Sequence, residues 1–305
     1  MKILFISRLY SPHIGGVEKH IAEVSKLLRK KGNNLTVLTE KHDSSLRNSE
    51  IIDGINVVRF DYPHVRFFGL LNIWWQILAR RKLIVSADII HIHDVFIWYL
   101  PFRFLYPNKK VFTTAHGLEF NNPRSRISIW QKKLAAKLSV ATIGVGKYLE
   151  KYSGVNYDLI IYGAVSPRRS KHKKIRNSIV YVGRLDEDTG LGKFLEWARK
   201  NPKYSVEFCG DGPLRKKCEK IGKVYGFITN PTRFMEKSEY CVPGGYMSAL
   251  EALNLGCKLK PFWNSEVRRD IWRASPFVRK DAITWARAQT WDKLVNEYIN
   301  LYNHI

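Results

Sequence analysis

Along the first half of the chain, short β-rich apolar runs alternate with stretches whose apolar residues recur three and four positions apart. The runs are KILFIS, NLTVLTE, INVVRF, ADIIHIH and KKVFTTAHG, and after the first of them the spacing predicts an amphipathic helix over about 16–31. Strands separated by helices predict a parallel sheet covered by helices. The same alternation restarts after Ser166 with SIVYVGR, a helix over about 190–200, YSVEFCG, a helix from Pro213 and a short strand KVYGFI. Between the two sets, RRSKHKKIR (168–176) has six basic residues in nine and no apolar periodicity, which predicts an interdomain linker. The expected architecture is therefore α/β, with Rossmann-like domains at 1–167 and 177–282 facing each other across a cleft and a closing segment at 283–305.

Composition narrows this picture little, but charge changes it. A length of 305 residues suits two domains, and 45% hydrophobic with 26% charged residues is ordinary for a globular chain. Fifty-one Lys and Arg against 27 Asp and Glu leave +24, a field that attracts nucleic acid, anionic lipid or phosphorylated substrates. The four cysteines, Cys209, Cys218, Cys241 and Cys257, have no paired spacing, so neither a zinc site nor a disulfide framework is expected, and a reducing cytoplasm fits. The N-terminal apolar run is too short for a signal-peptide core, and the apolar stretch 67–78 falls short of the ~20 residues that span a bilayer.

Three turns carry the candidate chemistry. In SPHIGGVEKH, Gly15 and Gly16 sit where a strand gives way to a helix, so backbone could approach a ligand and the helix N-terminus could meet an anion; an ordinary tight turn is the equal alternative. In VGRLDEDTGLGK, Arg184 follows a strand and offers a two-donor fork to a diphosphate. GDGPL places Gly212 and Pro213 at another strand-to-helix turn, with the proline at the first helical position. In PGGYMSALEALNLGC, Gly244 and Gly245 precede a helix carrying Glu251, a carboxylate able to accept both hydroxyls of a ribose.

The ordered set SPHIGGVEKH, DIIHIHD, TTAHG, VGRL, GDGPL and GYMSALEALNLGC resembles the family 4 glycosyltransferases of the GT-B fold, over nearly the whole chain. The resemblance implies two Rossmann-like domains, a nucleotide-sugar donor held mainly by the C-terminal one, transfer with retention, and no metal or other cofactor. It puts Gly16 near the donor phosphates, His116 near the transferred sugar, Arg184 on the diphosphate, Gly212, Pro213 and Leu214 along the nucleotide and Glu251 on the ribose. Where such proteins usually carry a phosphate lysine and a sugar-binding glutamate, this sequence has Thr189 and Pro243. Either Lys193, one turn into the same helix, replaces the lysine or Arg184 and the helix dipole act alone, and the absent glutamate leaves room for the backbone N–H groups of Gly244 and Gly245 to do its work. The segment 283–305 is expected to return towards the N-terminal domain.

Two metal readings are weak. Asp186-Glu187-Asp188 spells D-x-D but suits solvated loop acids, and His91, His93 and Asp94 suit a strand end. Trp74, Trp75 and the segment 96–105 are largely core, yet they neighbour Arg66, Arg80, Arg81, Lys82, Arg103, Lys109 and Lys110, and the helix around 129–138 adds more lysines. Aromatic residues interleaved with cations suit an anionic membrane surface, against a merely solvated basic face. The expected partners are a nucleotide-sugar and a glycan or lipid-linked acceptor at the inner membrane face, with acceptor choice in loops 63–69 and 119–128. A nucleotide-sugar epimerase, a degenerate relative, and a scaffold or nucleic-acid binder are the alternatives. No helix-turn-helix, RRM or zinc-finger pattern favours nucleic acid.

Overall fold

The computed structural model describes residues 1–61, 68–118, 125–170 and 172–303. Most of the loop positions expected to select the acceptor, 63–67 and 119–124, and Arg66 with them, lie outside the described residues. The described chain forms two compact units.

Unit 1 comprises 1–145, 149–161 and the chain from Val295 onward. Its elements run β1 (Lys2–Ser7), α1 (Gly16–Lys30), β2 (Asn34–Lys41), β3 (Ser49–Ile52), β4 (Ile55–Asp61), α2 (Gly69–Ala79), α3 (Arg81–Ser86) and β5 (Ile89–His93). There follow α4 (Phe96–Leu105), β6 (Lys110–Ala115), α5 (Arg126–Leu138), β7 (Ala141–Val145), α6 (Tyr148–Ser153) and β8 (Leu159–Ile161). The strands lie in the order β3-β4-β2-β1-β5-β6-β7-β8, all parallel except β3. That edge strand arises because Asp53 and Gly54 take positive φ, closing a two-residue hairpin between Ile52 and Ile55.

Alternation along the strands sorts the two faces. Leu4, Ile6, Ile90, Ile92 and Val111 pack with Ile73, Ile77, Ile84, Tyr99, Phe102 and Ala135, so α2–α5 cover one face. Each such side chain contributes roughly 1.5–3 kcal/mol of burial. The alternate residues Phe5, His91 and Phe112 turn to the other face, where Tyr298 of the C-terminal helix meets His91, Tyr302 meets Phe112, and Phe5 packs edge-on to His91.

Unit 2 holds β9 (Ile175–Val182), α7 (Leu191–Arg199), β10 (Ser205–Cys209), α8 (Arg215–Glu219), β11 (Lys223–Val224), α9 (Thr232–Lys237), β12 (Ser238–Pro243) and α10 (Tyr246–Asn254). It continues with β13 (Lys258–Leu259), α11 (Glu266–Arg273), α12 (Ala282–Ala288) and the start of α13 (Trp291–Asn303). The five strands are all parallel, in the order β11-β10-β9-β12-β13. The basic run expected as a free linker is instead bound to this unit. Arg168 pairs with Glu236 at 2.7 Å, Lys174 donates to the Met235 carbonyl at 2.8 Å, and β9 already starts at Ile175. The chain enters unit 2 at Tyr162, ahead of that run. A second correction concerns Pro213, which precedes α8 by two residues rather than opening it.

Candidate functional site

Three adjacent strands of unit 2 each end in a glycine turn: β9 in Gly183, β10 in Gly210 and Gly212, β12 in Gly244 and Gly245. The turns touch backbone to backbone. A Cβ on Gly210 would stand 1.8 Å from the Gly183 carbonyl oxygen, and one on Gly183 2.7 Å from the Gly244 Cα. The Gly183 N–H donates to Cys209 O at 3.1 Å, Leu185 N–H to Asp211 O at 2.9 Å and Gly244 N–H to Val182 O at 2.8 Å. The result is a side-chain-free floor at the C-terminal ends of parallel strands, the place where such sheets take ligands. Beside Gly245 the space is open, and the helix α10 that follows begins with N–H groups lacking intrahelical acceptors.

Charge enters this floor from arginine. Arg184 is half exposed, its Nη2 donating to Asp188 at 2.6 Å, and the Tyr181 hydroxyl holds the Arg184 carbonyl at 2.6 Å. Arg268 of α11 is buried and ties two turns together, donating to the carbonyls of Asp188 and, at 3.3 Å, Gly244. Burial pulls its guanidinium below the usual range, with Asp188 opposing that pull and the Arg184 charge adding to it. Sequence reasoning missed Arg268, since EVRRDIWR carries no motif.

Other expected residues fall differently. Thr189 is buried, donating to Asp186 O at 2.6 Å and 2.9 Å from the Tyr181 hydroxyl, so it is a structural member of the arginine loop. Lys193 lies on the exposed face of α7 and pairs with Glu196 at 3.0 Å, which corrects the expectation that it reaches back to the turn. Leu214 is core, and its N–H donates to Leu185 O, so neither its side chain nor its N–H is left for a ligand. Glu251 is half buried in the second turn of α10. The D-x-D carboxylates Asp186 and Asp188 both face Arg184.

In unit 1 the corresponding strand ends gather histidines. His91 Nδ1 lies 2.5 Å from the Tyr302 hydroxyl and its Nε2 2.7 Å from Thr114 Oγ1. His20 Nε2 meets the Tyr298 hydroxyl at 2.9 Å, and His93 Nδ1 meets His116 Nε2 at 3.0 Å. The rings of His91 and His93 stack at 4.7 Å, and those of His20 and His116 cross at 5.0 Å. Burial holds His20, His91 and His93 well below the usual imidazole range and lowers His116 to about 3, so the cluster is neutral. Among the described residues, nothing bonds the buried His93 Nε2 or the Nδ1 of His116.

Asp94, between β5 and α4, adopts φ 64°, a left-handed conformation uncommon outside glycine. Its N–H donates to Thr114 O at 3.0 Å, and its Oδ1 accepts the His116 N–H at 2.8 Å. Desolvation by its neighbours pushes the carboxyl up, against the pull of Lys132, although the residue keeps exposed surface. Asp94 and His116 line a cavity of about 360 Å³ together with Phe96, Thr113, Ser128, Gln131, Lys132 and Tyr157. Tyr157 reaches it because residue 144 is glycine, where a Cβ would stand 2.8 Å from the tyrosine ring. At Gly15 the expected anion site meets an obstacle. The Glu18 carboxylate fills the space a Cβ would take and holds His13 Nδ1 at 2.9 Å, so the start of α1 already faces a negative charge.

Two largely parallel sheets with helices make an α/β architecture, and the comparisons with known proteins agree with that fold. Over 99% of this chain and 98% of the other, the fold matches sucrose-phosphate synthase from Thermosynechococcus elongatus with a TM-score of 0.73 and 13% identity. The lipopolysaccharide outer core galactosyltransferase WaaB matches with a TM-score of 0.67 and 15% identity, over 99% of both chains. Residues 14–159, just under half of the chain, match the family model for Glycosyltransferase Family 4, and the whole chain has the GT-B fold of the glycosyltransferases it resembles. An uncharacterized glycosyltransferase of Methanocaldococcus jannaschii is 26% identical over 231 residues, covering 72% of this chain and 62% of that protein.

Proposed function

We propose that the chain moves a sugar from a nucleoside-diphosphate donor to a hydroxyl acceptor with retention at the anomeric carbon and without a metal or other cofactor. The observation that carries this reading is the side-chain-free floor of Gly183, Gly210, Gly212, Gly244 and Gly245, with Arg184 and Arg268 beside it. A diphosphate needs close backbone approach, free N–H groups and fixed cations; the glycine floor allows the approach, the start of α10 offers N–H groups without intrahelical acceptors, and the two arginines bring the charge. Arg184 meets the charge that grows on the leaving phosphate, the turn of Gly212, Pro213 and Leu214 borders the nucleotide, and Glu251 accepts the ribose hydroxyls. Lys193 is left outside this role by its pairing with Glu196.

The neutral His116 donates to or accepts from sugar hydroxyls through Nδ1. The acceptor hydroxyl attacks on the face from which the diphosphate departs: the new glycosidic bond forms as the sugar–phosphate bond breaks, and the hydroxyl proton passes to the departing phosphate oxygen. The cavity beside Asp94 suits the acceptor, since its carboxylate, amide and hydroxyl groups set against Phe96 match a pyranose ring. A glycan or lipid-linked glycan at the inner membrane face is the acceptor class this reading favours, with the protein peripheral and cytoplasmic. No helix among the described residues is long and apolar enough to cross a membrane.

The test is thermal unfolding of the full chain with UDP-, GDP-, ADP- and dTDP-linked sugars. One nucleotide class should raise the midpoint through native-state binding. No shift with any of them contradicts the reading.

A further inference from the structure

Helices α2–α5, which cover one face of the unit 1 sheet, hold seven basic residues: Arg81 and Lys82 in α3, Arg103 in α4, and Arg126, Lys132, Lys133 and Lys137 in α5. They hold no acidic residue at all. The helices on the other face differ, for α1 carries Glu18 and Glu23 and α13 carries Asp292 and Glu297.

The same layer is also where apolar side chains stay wet. Seven of the sixteen exposed large hydrophobic residues among the described residues lie on it, including Leu71, Trp75 at 70% exposure, Phe104 and Trp130 at 54%. They are not strays of imperfect packing, because their neighbours are well buried. Trp74 bonds the Ile97 carbonyl at 2.9 Å while Trp75 points out, and Phe102 is core while Phe104 is exposed. On α5, Arg126, Trp130, Lys133 and Lys137 recur at helical spacing, so cation and indole share one stripe.

We infer that the outer surface of α2–α5 is a bilayer-docking face that takes an anionic lipid membrane. This rests on the membrane part of the reading above and assigns it to a surface and to side chains. Apolar groups that enter the head-group region and cations that meet anionic lipid are the two components of interfacial binding, and tryptophan favours that depth. A nucleic acid would engage the cations and leave Leu71, Trp75 and Phe104 in water.

The structure also reassigns the cations. Arg80 is spent on the carbonyls of Gln76 and Arg59, Arg103 on those of Leu138 and Pro107, and Lys109 on those of Val85 and Ala87. Arg81, Lys82, Arg126, Lys133 and Lys137 have no partner among the described residues. These five, with Trp75 and Trp130, are the contact set.

Sedimentation of the full chain with phosphatidylcholine vesicles, with and without phosphatidylglycerol, tests this. The wild type should pellet only with the anionic vesicles and release as salt rises. Trp75→Ser with Trp130→Ser, and separately Lys133→Glu with Lys137→Glu, should each weaken vesicle binding by about tenfold or more. The charge-matched control Lys200→Glu with Lys220→Glu, in unit 2, should bind as the wild type does. Donor-nucleotide stabilisation should be unchanged in all of them, so loss of docking and failure of the enzyme reading are separable. No pelleting, equal losses in the control, or concentration-dependent self-association abolished by the two serine substitutions would overturn the proposal, the last showing a contact between copies.

Discussion

The strand ends of the two sheets solve different problems with different residues. In unit 2, glycine removes side chains and two arginines bring permanent charge, one of them half exposed. In unit 1, four imidazoles are packed so closely that burial keeps them neutral, and the one carboxylate among them is pushed up by its surroundings. A fixed positive field suits a ligand that gains negative charge during reaction. An uncharged wall of hydrogen-bonding rings suits a neutral one, such as a sugar, whose hydroxyls need direction more than charge. The difference teaches that a shared fold leaves chemistry to the strand ends.

Removing the charge from the unit 2 end should break the contrast most severely. Arg184→Ala is expected to lower turnover by about a hundredfold to a thousandfold, the usual effect of losing a donor to developing charge. Loss of nucleotide affinity should be smaller, and steady-state kinetics against binding of the free nucleotide separates the two. In unit 1, Asp94→Asn should raise the acceptor KM by roughly tenfold, as expected for one charge-assisted hydrogen bond, and leave donor binding unchanged. Equal effects on donor and acceptor would mean that the Asp94 cavity is not an acceptor site.

The neutral cluster carries a pH signature. Its imidazoles bind protons in the unfolded chain near pH 6.5 but resist them in the fold, so the unfolded state binds more protons across that interval. Stability is complete above about pH 6.5 and falls as pH drops through it towards about 3. Thermal midpoints measured across that range should decline, and His93→Leu should flatten the decline. The smallest effect is expected from Lys193→Ala, with activity within roughly twofold of the wild type because its partner is a surface glutamate. A large loss there would restore Lys193 to the site.

Much of this was legible in the sequence, for reasons that also mark where reading stops. Buried parallel strands such as KILFIS and ADIIHIH announce themselves by continuous apolar runs, and the glycine turns by strand-to-helix punctuation. The edge strand before Asp53-Gly54 escapes such reading, because it is only four residues long. The histidine cluster was not legible, because His20 and Tyr298 are 278 positions apart and meet only through the packing of α1 and α13. Nor was the fate of Thr189, whose burial depends on Tyr181 eight residues earlier, or the role of Arg268 80 residues beyond the loop it braces. The basic run at 168–176 misled because charge density signals solvent, whereas Arg168 and Lys174 here find the Glu236 carboxylate and the Met235 carbonyl.

Calorimetric titration of UDP, GDP and ADP into the wild type, Arg184→Ala and Asp94→Asn tests the division of labour most directly. The account predicts that one of these nucleoside diphosphates binds one-to-one, that Arg184→Ala weakens it by about tenfold or more, and that Asp94→Asn leaves it unchanged. Binding of none of the three, or a loss that follows Asp94 rather than Arg184, would contradict it.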